Sequence, residues 1–150
     1  MKKILWWSAM LVWGVAVCGF TACSDNDSDG GSGGTVPDPE GTIVLQMPND
    51  GSSYSLTYYI HLRLDAMNNF RIIGGSIMSV GKVAGLGAIR NIPSGAKWGN
   101  STVATPGYGY IMCRDDSYVR LYVESYITSS GGTIIGAKVK YELGWTPENQ

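Results

Sequence analysis

The chain has few of the side chains that carry most enzyme chemistry. Its 150 residues include one histidine and three cysteines, and 15% of the residues are charged. Acid–base catalysis, nucleophilic catalysis and metal binding draw mainly on histidine, cysteine and paired carboxylates. The single histidine, His61, is in phase with the polar residues of a predicted strand, which is typical of a surface side chain. The sequence therefore disfavours an enzyme and predicts no cofactor and no metal site.

The combinations that resemble active sites are incomplete. A Cys113–His61 pair is conceivable, but Cys113 is expected on the inward face of its strand, where cysteine acts as a small apolar side chain. Glycoside hydrolysis needs two carboxylates at a set separation, and we expect Glu124 and Glu142 to pair with lysine and arginine. Residues 81–87 contain a lysine, but they lack the spacing and the following helix of a phosphate loop.

The start of the chain has the pattern of a bacterial lipoprotein signal. Two lysines at positions 2–3 precede an apolar run over residues 4–20, and Ala22 is the small residue before Cys23. A secretory signal has this layout, whereas a membrane span needs about 20 apolar residues and different flanks. An uncleaved anchor helix is the alternative. The pattern predicts cleavage after residue 22, lipid on Cys23 and attachment to a membrane through that lipid.

Cys18 is the competing lipidation site. The bulky Val17 precedes it, whereas the signal peptidase needs a small residue, so the sequence favours Cys23. The acidic residues 24–29 (SDNDSD) resemble the export signal of Bacteroidetes surface lipoproteins, which implies an outer-membrane location facing outward. The same run matches the start of a calcium-binding EF-hand loop, but Val36 occupies the position where that loop needs glutamate.

Composition divides the chain into four segments. We predict a signal peptide over residues 1–22, a lipidated cysteine and flexible Gly/Ser/Asp/Pro tether over 23–41, a β-domain over 42–146 and a short tail over 147–150. The tether is too polar to fold by itself.

Removal of the signal changes both the charge and the cysteine count. The mature chain has 9 basic and 12 acidic residues, a formal net charge of −3. The densest basic grouping, Lys138 and Lys140, is too sparse to bind a phosphate backbone, so we expect no nucleic-acid partner. With Cys23 lipidated, Cys113 has no partner for an internal disulfide.

Alternating apolar and polar residues predict an all-β domain of six to eight strands. We expect an antiparallel β-sandwich, with a flattened barrel as the alternative. Glycines at 74 and 75 indicate a bulge or a close approach of the backbone, and residues 65–69 and 115–116 read as turns. The predicted strands with the clearest patterns cover residues 42–47, 54–64, 70–83, 107–114, 118–127 and 133–143.

The last two strands form a hairpin whose register the charges select. Pairing Arg120 with Lys140 opposes like charges, whereas pairing Arg120 with Glu142 opposes unlike ones. We choose the second register, which leaves a three-residue loop over 130–132 with a left-handed glycine. It also predicts the pairs Tyr122–Lys140, Glu124–Lys138 and Tyr126–Gly136.

Aromatic side chains are the most distinctive feature of the β-domain. Tyr118, Tyr122 and Tyr126 repeat every four residues along one strand, on the face expected to meet solvent. Flat rings on a sheet are how many carbohydrate-binding modules stack on sugars, although cross-strand packing alone also explains such tyrosines. Tyr59, Trp98, Tyr108 and Tyr110 are further aromatic residues expected at the exposed surface, and the last three are also candidates for ligand binding.

Four stretches, SVGKVAGLG at 79–87, NIP at 91–93, PGYGY at 106–110 and GTIIGAKVKY at 132–141, resemble a family of small Bacteroidetes surface lipoproteins of unknown function. The resemblance implies no substrate, cofactor or catalytic residue. Together the features predict a non-catalytic, surface-tethered binding module, with a glycan as the expected ligand. The alternative is a structural or interaction subunit of a surface complex or adhesin, with a protein partner.

Overall fold

The computed structural model describes residues 39–47 and 53–149. The predicted signal peptide, Cys23, the acidic run and the tether up to residue 38 lie outside the described residues. The strands are β1 (Glu40–Gln46), β2 (Tyr54–Ser55), β3 (His61–Leu64), β4 (Asn69–Ile73), β5 (Ser76–Lys82), β6 (Ser101–Val103), β7 (Tyr108–Arg114), β8 (Ser117–Thr128) and β9 (Ile134–Trp145).

The strands form two antiparallel sheets. The larger sheet has the order β1-β9-β8-β7-β5 and the smaller one the order β2-β3-β4-β6. The two sheets do not close into a barrel, so the architecture is the predicted β-sandwich and the flattened-barrel alternative is wrong. In the part of the chain described, no helix has the length and apolarity needed to span a membrane.

The main core lies between the two sheets. Strands that alternate apolar and polar residues bury one face each, and here those faces meet. The side chains with no solvent exposure in this core are Leu56, Leu62, Leu64, Phe70, Tyr110, Met112, Leu121, Val123, Ala104, Ala137 and Val139.

A second apolar cluster covers the opposite face of the larger sheet. It contains Met78, Ile89, Ile111, Tyr118 and Trp145, with partly buried residues from the segment that follows β5. That segment includes a short 3-10 helix, Leu86–Ala88. Strand β7 is therefore buried on both faces, because Ile111 faces this cluster while its neighbours on either side face the main core.

Hydrogen bonds hold this covering segment in place. The Arg120 guanidinium donates to the Ile89 carbonyl at 2.7 Å and to the Glu142 carboxylate at 2.6 Å. Near the C-terminus, the Asn149 side chain bonds both the amide and the carbonyl of Ile92. Two residues of the predicted tail therefore contact the domain, since the amide of Glu148 also donates to this segment.

The β8–β9 hairpin has the predicted register near Arg120 but not throughout. Arg120 pairs with Glu142 and Tyr122 with Lys140, as predicted. The loop is also confirmed, because the backbones of Ser129 and Thr133 close it and Gly132 has a φ of 79°.

Two irregularities shift the pairing of β8 with β9 between Arg120 and the loop. β8 has an extra residue at Glu124, so Tyr126 pairs with Ala137. β9 has an extra residue before Gly136, which restores the predicted register next to the loop. The predicted Glu124–Lys138 and Tyr126–Gly136 pairs are wrong as backbone partners. The Glu124 carboxylate nevertheless accepts from Lys138 at 2.9 Å and from Lys140 at 3.0 Å.

Two predicted strands are each divided in the structure. Residues 54–64 form a small hairpin, because the Thr57 hydroxyl accepts the amides of Tyr59 and Ile60 and turns the chain. Such local side-chain bonds compete with a continuous ladder. Residues 70–83 change sheets at Gly74, where β4 of the smaller sheet leads into β5 of the larger one.

Candidate functional site

The predicted exposed face of three tyrosines does not form. Tyr118 is 8% exposed and packs in the second cluster. The extra residue at Glu124 turns Tyr126 toward the main core, where its hydroxyl donates to the Ala104 carbonyl at 2.6 Å. Burial raises the pKa of Tyr126. Tyr122 remains half-buried on the outer face, so the strand carries no aromatic platform.

The two tyrosines of β7 also belong to the core. Tyr110 is fully buried with its ring edge-on to Phe70 at 5.0 Å between centroids. Its hydroxyl donates to the Val103 carbonyl and accepts the Thr105 amide, each at 2.7 Å. Burial raises the pKa of Tyr110. Tyr108 is half-buried against the same core, so of these two residues only Tyr108 keeps exposed surface.

Three other aromatic side chains are the exposed ones. Tyr58 is 85% exposed, Tyr59 59% and Trp98 38%, and no further aromatic residue in the described ranges is exposed. Trp98 and Tyr59 were predicted to be exposed, and Trp98 was a candidate for ligand binding, whereas Tyr58 was predicted to face the core. Each of the three lines one of two cavities that share lining residues.

Two cavities share Arg114 and Asp115, and we call the pair the Arg114 cleft. The tyrosine cavity, about 370 Å³, is lined by Thr57, Tyr58, Tyr59, Ile60, Arg114, Asp115 and Ser117. The tryptophan cavity, about 430 Å³, is lined by Gly75, Ser76, Trp98, Cys113, Arg114 and Asp115. Both volumes fall within the range of small-molecule sites, roughly 300–1,000 Å³.

Local contacts fix Arg114 between the two cavities. Its Nη1 donates to the Tyr59 carbonyl at 3.1 Å, and its Nε donates to Asp115 Oδ2 at 3.2 Å. The guanidinium carbon also lies 4.7 Å from the centroid of the Tyr59 ring, a cation–π distance. The Tyr58 ring meets the Tyr59 ring edge-on, with 4.7 Å between centroids. One guanidinium nitrogen, Nη2, has no hydrogen bond to the described residues.

Two glycines allow the elements of the cleft to approach. A Cβ on Gly74 would lie 2.0 Å from the Tyr59 carbonyl oxygen, and one on Gly75 would lie 2.9 Å from the Cys113 carbonyl oxygen. The close backbone approach predicted for this glycine pair is therefore confirmed. This approach places the β4–β5 connection, where the chain passes from one sheet to the other, against the β2–β3 turn and the end of β7.

The turn after Arg114 supplies the negative charge of the cleft. Asp115 and Asp116 have φ angles of 47° and 60° and form the two-residue connection between β7 and β8, as predicted. Consecutive positive φ angles are the geometry of a tight hairpin turn. Asp115 is the one carboxylate among the lining residues of the two cavities.

Of the remaining candidates, Cys113 lies at the edge of the cleft, whereas His61 is not among its lining residues. Cys113 is in phase with Ile111, but that face meets the second cluster rather than the main core, and Cys113 is half-buried at the tryptophan cavity. His61 lies on the smaller sheet opposite Ile73. In residues 39–47 and 53–149 there is no group of three or more His, Cys, Asp or Glu side chains placed to hold a metal.

Tyr58 and Arg114 were not predicted as site residues, whereas Tyr59 was predicted to be exposed and is 59% exposed. The strand assignment explains why Tyr58 was missed. A continuous strand over 54–64 places Tyr58 on the core face, whereas the turn at Thr57 projects it outward. Thr57 and two adjacent tyrosines between apolar runs were the available signal for this turn.

No protein-family model matches the chain, and no curated protein or solved structure matches it either.

Proposed function

We propose that the protein is a lipid-anchored outer-membrane protein of the cell surface, whose β-sandwich binds glycans in the Arg114 cleft. The anchor is Cys23, and the predicted tether holds the domain away from the membrane. The lipoprotein signal, the acidic residues that follow it and the family resemblance support this location.

One observation carries the binding proposal. The three exposed aromatic side chains, Tyr58, Tyr59 and Trp98, all line the Arg114 cleft. Exposed aromatic side chains that are grouped mark an interaction surface more often than single scattered ones do. Their concentration around one fixed guanidinium favours a site over scattered surface exposure.

The chemistry of the cleft suits a sugar. Aromatic rings stack against the C–H faces of pyranose rings, and their quadrupole favours such contacts. Arg114 offers donors to hydroxyl oxygens, and Asp115 accepts from hydroxyl groups. This mixture of flat apolar surface and a few convergent polar groups is typical of small-ligand sites.

The same residues favour binding over hydrolysis. Cleavage of a glycosidic bond by the usual mechanisms takes two carboxyl groups, about 5–10 Å apart, on either side of the bond. Asp115 is 88% exposed, whereas a general acid commonly owes its raised pKa to burial. We therefore propose a module that holds glycans without cleaving them.

Affinity electrophoresis with the full chain in detergent tests this proposal. The gels contain neutral glucans, mannans, galactans or xylans, or the acidic polysaccharides polygalacturonate and hyaluronate. We expect at least one glycan to retard the protein, and Tyr58→Ala to weaken that binding by about tenfold or more, since stacking contributes about 1.4 kcal/mol.

Tyr122→Ala is the matched control, because Tyr122 is a half-buried tyrosine outside the cleft. It should retain wild-type retardation. Loss of binding in Tyr122→Ala but not in Tyr58→Ala would move the site to the outer face of β8. No retardation by any glycan, together with a stoichiometric protein partner recovered from membranes, would favour the interaction-subunit alternative.

A further inference from the structure

Arg114 divides the cleft into two compartments of similar size. The tyrosine cavity has about 370 Å³ and the tryptophan cavity about 430 Å³, and each has its own exposed aromatic surface. The guanidinium is held in place by the Tyr59 carbonyl and by Asp115. Because each compartment has a ring and the two share a polar divider, the cleft offers two stacking positions rather than one.

The divider is flanked by negative charge. Asp115 lies 3.2 Å from Arg114, and Asp116 follows in the same turn, so the three residues together carry one net negative charge. An anionic group drawn to the guanidinium would displace or oppose these carboxylates. Carboxylates next to the charge of an anionic ligand repel it. They lower the affinity for anionic ligands more than they raise the affinity for neutral ones.

Hydroxyl groups complete the lining. Thr57 and Ser117 line the tyrosine cavity, and Ser76 lines the tryptophan cavity. Hydroxyls both donate and accept. A polyhydroxylated ligand without charge can therefore bond the hydroxyls, the free Nη2 of Arg114 and the Asp115 carboxylate together.

We propose that the ligand is an uncharged oligosaccharide of at least two sugar units, one stacked in each cavity and both bonded to the Arg114–Asp115 pair between them. This inference rests on the proposed glycan-binding function. It adds the charge of the ligand and its minimum length.

Calorimetric titration of the full chain in detergent measures both properties. The probes are mono-, di- and tetrasaccharides of β-1,4-linked glucose, mannose and galactose, and the matching series of galacturonic acid. For at least one neutral series, we expect the disaccharide to bind about tenfold tighter than the monosaccharide. The galacturonate of equal length should bind at least about tenfold more weakly.

Trp98→Ala tests the second stacking position. It should abolish the gain from mono- to disaccharide, and Trp98→Phe, which keeps a ring, should restore most of that gain. Trp98 is exposed and outside both core clusters, so an unchanged thermal midpoint will confirm that the variant folds. A length dependence that survives in Trp98→Ala would overturn the two-position inference.

Asp115→Asn and Asp116→Asn form the matched pair that tests the hydrogen bonds accepted by the Asp115 carboxylate, because each removes one charge but only Asp115 lines the cavities. Asparagine tolerates positive φ, so both changes preserve the turn. We expect Asp115→Asn to weaken the neutral disaccharide at least about fivefold and Asp116→Asn, which lines neither cavity, to leave it unchanged. Preferential binding of galacturonates overturns this inference alone, whereas no binding of any sugar overturns the proposed function with it.

Discussion

Gly74 and Gly81 adopt similar left-handed backbone angles in different surroundings. Their φ angles are 86° and 91°, but a Cβ on Gly74 would meet the Tyr59 carbonyl oxygen at 2.0 Å, whereas one on Gly81 would meet nothing within 4 Å. Alanine substitutions at these two glycines therefore separate the free-energy cost of the φ angle from that of the contact with Tyr59. The sequence indicated a close approach at Gly74 because a second glycine follows it, but it did not indicate what approaches.

We predict that Gly81→Ala lowers the free energy of unfolding by about 1–2 kcal/mol, the strain of a left-handed alanine. Gly74→Ala should cost about 1–3 kcal/mol more, because the methyl group overpacks the contact. It should also weaken glycan binding, since the Tyr59 carbonyl positions Arg114. Urea unfolding measures both variants, and equal losses would contradict the contact with Tyr59.

Asp65 stabilises the turn between β3 and β4 in its charged form. Burial raises its pKa, but hydrogen bonds from the Asn69 amide and side chain, from Arg71 and from the Met67 amide outweigh burial and lower it from 3.8 to about 2. Because the folded-state pKa lies below the unfolded one, this stabilisation is complete above about pH 4. It disappears as the pH falls toward 2.

We predict that Asp65→Asn lowers the free energy of unfolding by about 1–2 kcal/mol at pH 7, a value reduced from the full pKa shift because the carboxylate is partly exposed. The difference from wild type should narrow between pH 4 and pH 2. Urea unfolding at several pH values measures it. A difference that stays constant over this range would exclude the charged form as its source.

At the scale of elements, the β8–β9 hairpin shows what charge and turn chemistry determine. Opposed charges identified the Arg120–Glu142 pair, and the Ser-Gly-Gly run identified the three-residue loop. The extra residue at Glu124 was not predictable from alternation. Extending the register from one known pair assumes that each residue of β8 faces one residue of β9. A bulge adds an unpaired residue, and here each of the two strands has one.

The extra residue at Glu124 leads us to expect different roles for the hydroxyl groups of Tyr122 and Tyr126 in β8. Tyr126→Phe should lower the free energy of unfolding by about 1–2 kcal/mol, because it leaves the carbonyl of the buried Ala104 without its donor. Tyr122→Phe should change it by less than about 0.5 kcal/mol. Thermal unfolding measures the stability of both variants. A larger loss for Tyr122→Phe than for Tyr126→Phe would contradict the bulge and place Tyr126 on the outer face of the sheet.

At the scale of the whole molecule, the sequence predicted the sandwich but not the cleft. Alternation gives each strand an apolar face and so predicts two packed layers. It does not say that β4 and β5 lie in different sheets, because residues 70–83 read as one strand. The cleft forms where that crossing meets the β2–β3 turn and the end of β7, so residues distant in sequence create it.

The proposed anchor predicts a clear difference between two cysteines. Expressed in a Bacteroidetes host with an alkyne-labelled fatty acid, wild type and Cys18→Ser should incorporate label and fractionate with membranes. Cys23→Ser should lose the label and keep its signal peptide, because the lipidated thiol is absent. Label on Cys23→Ser would contradict the proposed anchor.

The central claim is that a glycan stacks in the Arg114 cleft, and the indole N–H signals of the tryptophans test it most directly. In a ¹H–¹⁵N spectrum of the mature lipoprotein in detergent, Trp98→Phe assigns the Trp98 signal, since cleavage after residue 22 leaves two of the five tryptophans, Trp98 and Trp145. We titrate with cellotetraose, mannotetraose and galactotetraose. At least one should shift the Trp98 signal in a saturable way and leave that of Trp145, which is 7% exposed, in place. A Trp98 signal that stays fixed with all three tetrasaccharides would contradict the account.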